Sequence, residues 1–506
     1  MNDTRSEPGR PRFIPEWLRG EPAAAPSTRV TADLFLRALG LVYLIAFASL
    51  WVQVAGLIGS GGILPVADYL TRAHAALGTD AYLRLPTLLW LSGSDLALNL
   101  LCGGGVLFAV LLLLGLLPAL SLALLWLFYL SLAVGGQVFL SFQWDVLLLE
   151  AGFLALFLAP LNLRTRFGRG PEPSRLALFL LKLLLFRLMF TSGVVKLTSG
   201  DASWLTGVAL RFHYETQPLP TPLAFWTHHL PLWVQKLSLY FTFFVELFTP
   251  FFYFAPRRLR LGAAGFTALL MLLIALTGNY GFFNLLTVVL CIPLLDDRVL
   301  GWFRPSSVPQ RTPKCWPYPV VAAVAAIVIA FTPLLVYSAL RPSAAWPGFA
   351  YRAYGWLQPF RSLNSYGLFR VMTTKRPEII IEGSDDGETW LPYAFKYKLG
   401  DVTREPPLVQ PHMPRLDWQM WFAALGSCQS TPWFVQFLVR LLEGAPEATR
   451  LLEHNPFEQP PKFIRTTLYD YRYSAPATLR EDGRWWQRTA FGPYCPVVSR
   501  CNGPSR

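Results

Sequence analysis

Three residues in one short part of the chain carry side chains suited to acid–base chemistry: Lys196, His213 and Glu215. His213 and Glu215 are two positions apart, and on an extended segment both side chains point the same way. That arrangement suits a general acid–base pair or half of a metal site. His228 or His229 could add a ligand, but nothing in the spacing demands it, and neither a metal nor another cofactor is expected. A polar loop bonded to its own turn would look the same. The catalytic reading therefore requires Lys196, His213 and Glu215 to converge on one cavity. Pro218, Pro220 and Pro222 predict an extended or turning path, laid along a membrane surface.

Lys182, Arg187 and Lys196 interrupt an apolar run over 176–197. A charge inside a bilayer costs about 3 kcal/mol even on lenient scales, so it faces protein or a water-filled cavity. Lys182 can snorkel to the nearer surface. Arg187 sits mid-run and needs a buried partner, for which Glu150 and Glu246 are the candidates. Further along, Asp417, Trp418 and Trp421 lie on a helical pattern and predict an exposed partner-binding patch, the alternative being core aromatics. No GxSxG, P-loop, HExxH or CxxC is present. Gly103, Gly104 and Gly105 lie within an apolar run, where close helix packing explains them.

The elements that must hold these residues are mostly membrane helices. Of 506 residues, 53% are hydrophobic and only 15% charged, below the soluble average of roughly 25%. About nine spans are expected, over 34–57, 96–116, 119–138, 146–161, 176–197, 232–254, 261–277, 282–295 and 320–340, the fourth and eighth short. Arginines gather in alternate loops, such as Arg164, Arg166, Arg169 and Arg175, then Arg257, Arg258 and Arg260. The positive-inside rule then predicts a cytosolic N-terminus and an extracytoplasmic C-terminal part. The net charge of +13 serves topology, and no basic stripe suggests nucleic acid.

The expected organisation is a disordered basic tail over 1–31, a helical membrane domain over 32–341 and an α+β domain over 342–500. A hairpin over 377–397, helices from Asp417 and Trp433, and closing strands over 467–473 and 484–491 would build the last of these. One disulfide among Cys428, Cys495 and Cys501 is expected, with the pairing open. No internal symmetry supports a transporter.

Several motifs resemble the lipase maturation factor family. They are Gly62 to Pro65, Phe142 to Asp145 with Leu149 to Phe153, Phe212 to Pro218, Gly278-Asn279 and Asn364 to Gly367. Arg415 to Trp418, His454 to Phe457 and Trp485-Trp486 continue the series in one order. The resemblance implies a multi-pass endoplasmic-reticulum protein that assists folding and assembly of secreted lipases through its C-terminal half, with no reaction of its own. The lack of a glycosylation sequon in the exported part would suit a bacterial member, placed in the plasma membrane with other exported clients. A shorter resemblance, Ser192 to Lys196 with Trp204 and Gly207, is to vitamin K-dependent γ-glutamyl carboxylase relatives. It implies a base at Lys196, and hence a rival reading as a membrane enzyme acting on a lipid-like substrate.

Overall fold

In lipid, a run of about 20 apolar residues satisfies its backbone only as a helix. In a computed structural model describing residues 27–301 and 315–500, seven helices are long and apolar enough to cross a membrane. They are α1 (Arg29–Trp51), α2 (Asp95–Leu113), α3 (Pro118–Gly135), α5 (Arg175–Thr198), α7 (Leu232–Phe254), α8 (Arg257–Thr277) and α10 (Tyr318–Leu340). Between them α4 (Gln143–Leu156), α6 (Ala209–Thr216) and α9 (Phe283–Cys291) are shorter. The expected short spans correspond to α4 and α9. At 1.5 Å per residue each falls well below the roughly 30 Å of hydrocarbon. The expected tail over 1–31 falls largely outside the described residues, as does Cys501.

Helix α1 crosses α2 at the glycine run. A Cβ on Gly105 would overlap the Phe47 ring, so only glycine admits this approach. Helix α5 is the most enclosed of the long helices and starts on a Ser174 cap whose hydroxyl accepts from the Ala177 N–H.

Two ends of the bundle differ in character. At one, Arg29 pairs with Glu172, Arg257 with Asp296, and Arg37 donates to the Leu113 carbonyl. At the other, 49–53, 138–145 and 277–280 bond directly to the chain beyond 400, as in Gln53 to Met413 and Gln419 to Val138.

That C-terminal part holds a four-stranded antiparallel sheet, order β2 (Leu391–Pro392), β1 (Pro377–Ser384), β5 (Phe463–Tyr473), β6 (Trp486–Ser499). The expected hairpin forms only over β1 and β2. The next strand, β3 (Ala394–Phe395), leaves to pair with β4 (Leu452–His454). Helices α12 (Arg415–Leu425) and α13 (Pro432–Glu443) complete it, while α11 (Gly348–Leu357) packs against α10. One apolar core runs unbroken from Phe35 in α1 to Leu442 in α13, across the expected boundary at 341.

Cys428 and Cys495 form a disulfide across 67 residues, tying the turn before α13 to β6. Closing a loop of that length removes about 4 kcal/mol of unfolded-state freedom. Cys428→Ser is therefore expected to lower the melting temperature under oxidising conditions, and to abolish the drop that a reductant causes in the parent protein.

Candidate functional site

Helix α5 carries two buried cations nine residues apart. At 100° per residue that is half a turn out of phase, so each needs its own partner. Arg187 pairs with Glu150 of α4 and donates to the Asn364 carbonyl at 3.0 Å. The second Glu150 oxygen accepts from the Asn364 N–H and side-chain amide, both at 3.0 Å, and from Tyr366 at 2.7 Å.

Glu246 lies on the opposite side and is taken by Lys196, not by Arg187. The Lys196 ammonium donates to both Glu246 oxygens, at 2.7 and 2.8 Å, and to the Ser192 carbonyl at 3.2 Å. Its three protons are thereby all engaged, and it sits 5.4 Å from the centre of the Trp204 ring. Glu246 stands on a π-helical turn, Phe244–Phe248, which re-aims one side chain within α7. Gly193 makes room for that turn, since a Cβ there would fall 2.9 Å from Glu246 Cβ.

His213 and Glu215 do not share a face. The expectation of an extended segment fails because α6 is helical until Pro218 restricts Gln217 to an extended conformation. Two residues on a helix are 200° apart. His213 Nε2 meets the Tyr280 hydroxyl at 3.2 Å, with Phe369 edge-on at 4.7 Å, and Tyr280 donates onward to Gln217 at 2.7 Å. Glu215 turns away and accepts the Tyr473 N–H of β5 at 2.7 Å. Lys196, His213 and Glu215 thus have three separate sets of partners. His228 and His229 lie beside Tyr473 and line a cavity of about 270 Å³ with Arg211 and Gln235. Among the described residues no group of three or more His, Cys, Asp or Glu could hold a metal.

Burial holds His213, His228 and His412 each down to about 4 from an ordinary 6.5, with the nearby Lys196 charge adding to the effect at His213. Between those values the unfolded chain binds more protons than the folded one, so stability rises with pH across the window. The contribution is complete above about pH 6.5 and is lost as pH falls towards about 4. Melting temperatures in detergent are expected to fall from pH 7 to pH 4.5, and less steeply in His213→Gln.

The expected exposed patch is buried instead. Helix α12 is wedged between sheet and spans, which covers the sides carrying Asp417, Trp418 and Trp421 and leaves Phe422 and Leu425 open. Trp418 packs 4.8 Å from the Trp144 ring and 5.7 Å from Tyr280. Trp421 donates to the Thr216 carbonyl at 2.8 Å, and Asp417 accepts the Tyr397 and Lys398 N–H groups, both at 2.9 Å. These residues dock the sheet region internally and offer no free surface.

Arg415, one turn before Trp418, stands out in the sequence only as part of a motif. It grips Asp145 of α4 with two nitrogens, at 2.8 and 2.9 Å, and donates to the Phe139 carbonyl at 2.7 Å. Tyr129 of α3 donates to the same carboxylate at 2.6 Å. The signal available in the sequence is Asp145 itself, a carboxylate at the edge of an apolar run with no cation nearby. Two further clamps have no such signal. Arg376 binds the Glu215 and Pro218 carbonyls, each at 2.8 Å. Asn279 donates to the Pro407 carbonyl and accepts the Val409 N–H, each at 2.8 Å.

Arg415, Arg376 and Asn279 lie on the seam between spans and sheet. A lipase maturation factor transmembrane domain matches residues 30–302, and a lipase maturation factor C-terminal domain matches 362–496. The chain belongs to the lipase maturation factor family. Lipase maturation factor 2 of Mus musculus is 37% identical, covering 94% of this chain and 84% of that protein. The Homo sapiens protein of the same name is 36% identical over 93% of this chain and 83% of its own length. Lipase maturation factor 1 of Mus musculus is 34% identical over 95% and 90%. No solved structure matches. In this member of the family the motifs meet in pairs in three dimensions: Phe212 to Pro218 is tied to Tyr280 beside Gly278-Asn279, Asn364 to Gly367 is tied to Glu150 of the Leu149 to Phe153 motif, and Arg415 to Trp418 is tied to Asp145 of the Phe142 to Asp145 motif. Chemically, the arrangement fixes the sheet region rigidly on the membrane helices.

Proposed function

We propose that this protein is a membrane-bound factor assisting the folding and assembly of secreted lipases, or of other exported clients, with its C-terminal part on the extracytoplasmic side. The observation that carries the proposal is the family match, which spans the membrane helices and the sheet region together. Two features support the sidedness. The Cys428–Cys495 disulfide suits an oxidising compartment, and the arginine-rich loops gather at the end of the bundle away from the sheet. The endoplasmic reticulum membrane in a eukaryote, or the plasma membrane in a bacterium, meets both conditions.

With Trp418 and Trp421 enclosed, client contact falls to exposed surface. The edge strand β6 is mostly exposed, carrying Phe491 and Val497 in the open. Its unpaired backbone suits an extended segment of a partly folded client, and Pro493 and Pro496 limit how far such pairing spreads.

The rival reading, an enzyme using Lys196, His213 and Glu215 on a lipid-like substrate, lacks the convergence it needs, because Glu215 faces β5 while Lys196 is saturated by Glu246. Co-expression with a secreted lipase, in cells lacking the family's own members, tests the proposal. The protein is expected to raise the active fraction of secreted lipase, and Phe491→Asp to lower it without loss of the factor itself. An unchanged active fraction would remove the proposal.

A further inference from the structure

The chain beyond α10 does not leave the membrane directly. The geometry points to residues 341–372 being a re-entrant segment, with α11 sunk into the hydrocarbon layer beside α10 and lipid acyl chains packed on Phe349, Tyr351 and Trp356. The descending limb can be followed down α10. Trp346 donates to Ser338 at 2.6 Å, near the end of α10. The Tyr354 ring lies 5.8 Å from Phe331, two turns lower. Leu357, Phe360 and Leu363 then line an apolar cavity of about 180 Å³ with Ile327, Trp126 and Phe153.

Depth follows from helical rise. Ile327 is about 20 Å below the end of α10, and Trp126 about 14 Å below the end of α3. Both lie near the middle of a layer about 30 Å thick.

The ascending limb climbs α5 in step. The Asn364 carbonyl accepts from Arg187, at the middle of α5, and the Tyr366 carbonyl accepts from Thr191 at 2.8 Å. The Met372 N–H then donates to Asp201, past the end of α5, at 2.6 Å. Irregular backbone at such depth is tolerated only where protein satisfies it, and Glu150 supplies acceptors to Asn364 there.

Helix α11 is open to its surroundings: Phe349 and Trp356, two turns apart on one face, and Tyr351 on the other are each about 70% exposed. Arg352, exposed between Phe349 and Trp356, is long enough to carry its charge back towards the headgroups. Beside α11, on α10, Ile327 at the rim of that cavity also stands open, and Ile329 is open on another side of the helix. A water-facing helix of ten residues would not leave three large aromatics uncovered, whereas lipid covers them at no cost.

The test uses the full chain in liposomes with Cys315→Ser, which removes the exposed free cysteine among the described residues, and with Cys501→Ser as well. Single cysteines replace Trp356, Ile327 as a lipid-facing reference and Glu388 as a water-facing one. A membrane-impermeant maleimide, with the vesicles opened by a pore, is expected to label the Glu388 site and to leave both others unlabelled. Labelling at 356 equal to that at 388 would overturn the proposal. A photo-crosslinking phenylalanine at 356 gives an independent readout: a phospholipid adduct by mass supports the segment's depth, and its absence alongside an adduct at 327 refutes it.

Discussion

Replacing Arg415 with methionine is expected to destabilise the protein by about 3–5 kcal/mol, the cost of leaving a buried charge without its partner. Asp145 would retain only the Tyr129 hydroxyl, in a place where neither carboxylate oxygen reaches water. The second effect is mechanical. Arg415 ties α12 to α3, α4 and the Phe139 carbonyl, so the sheet region should loosen from the spans as the pair breaks. Arg415→Lys is expected to recover little, because an ammonium cannot reproduce the two-pronged grip. Adding Asp145→Leu to Arg415→Met should restore part of the loss. An orphaned Tyr129 hydroxyl would still cost about 1–3 kcal/mol, which Tyr129→Phe should remove. Denaturation in detergent over the single, double and triple variants measures these steps. Equal losses in all three would mean that the pair is not what holds the seam.

Lys196→Met is expected to cost a similar amount, about 3–5 kcal/mol, by stranding Glu246 against α5. The informative variant is Lys196→Met with Glu246→Leu, which replaces both charges by apolar groups of similar size. Such replacements of a whole buried pair are often neutral. If the pair is structural, the double variant should regain both stability and the proposed lipase-maturing activity while the single variant lacks both. A stable double variant that no longer matures lipase would assign chemistry to Lys196 and revive the enzyme reading. Measured together, melting temperature and secreted lipase activity separate the two cases.

Much of the membrane part is legible in the sequence. Twenty apolar residues in a row must be helical in lipid, so the seven long spans follow from composition and run length alone. That Arg187 needs a buried partner follows from the cost of intramembrane charge, whereas Lys196, near the end of its run, could have reached the surface instead. Which carboxylate serves which cation is half legible, since nine residues on a helix put the two cations on opposite faces. Only packing assigns Glu150 to one and Glu246 to the other, the latter through a π turn that no sequence pattern announces.

The HxE stretch misleads for a local reason. The prolines that follow suggest an extended period for His213 and Glu215, whereas α6 closes before Pro218 takes effect. Trp418 and Trp421 mislead for a global one. A helix with one apolar face and one mixed face looks exposed on the second, until a further layer covers it. Here that layer is the membrane bundle, reached through Arg415 and Asp145, 270 residues apart.

By itself, then, the sequence determined the class of the molecule, its family, its helices and the residues that could not stand alone. Those properties depend on local composition and on energies fixed by residue type. The tertiary structure alone decided the pairings at the seam, the enclosure of Trp418 and Trp421 and the packing of 341–372 beside α10. Each of these depends on which distant surfaces meet, and periodicity along the chain does not encode that.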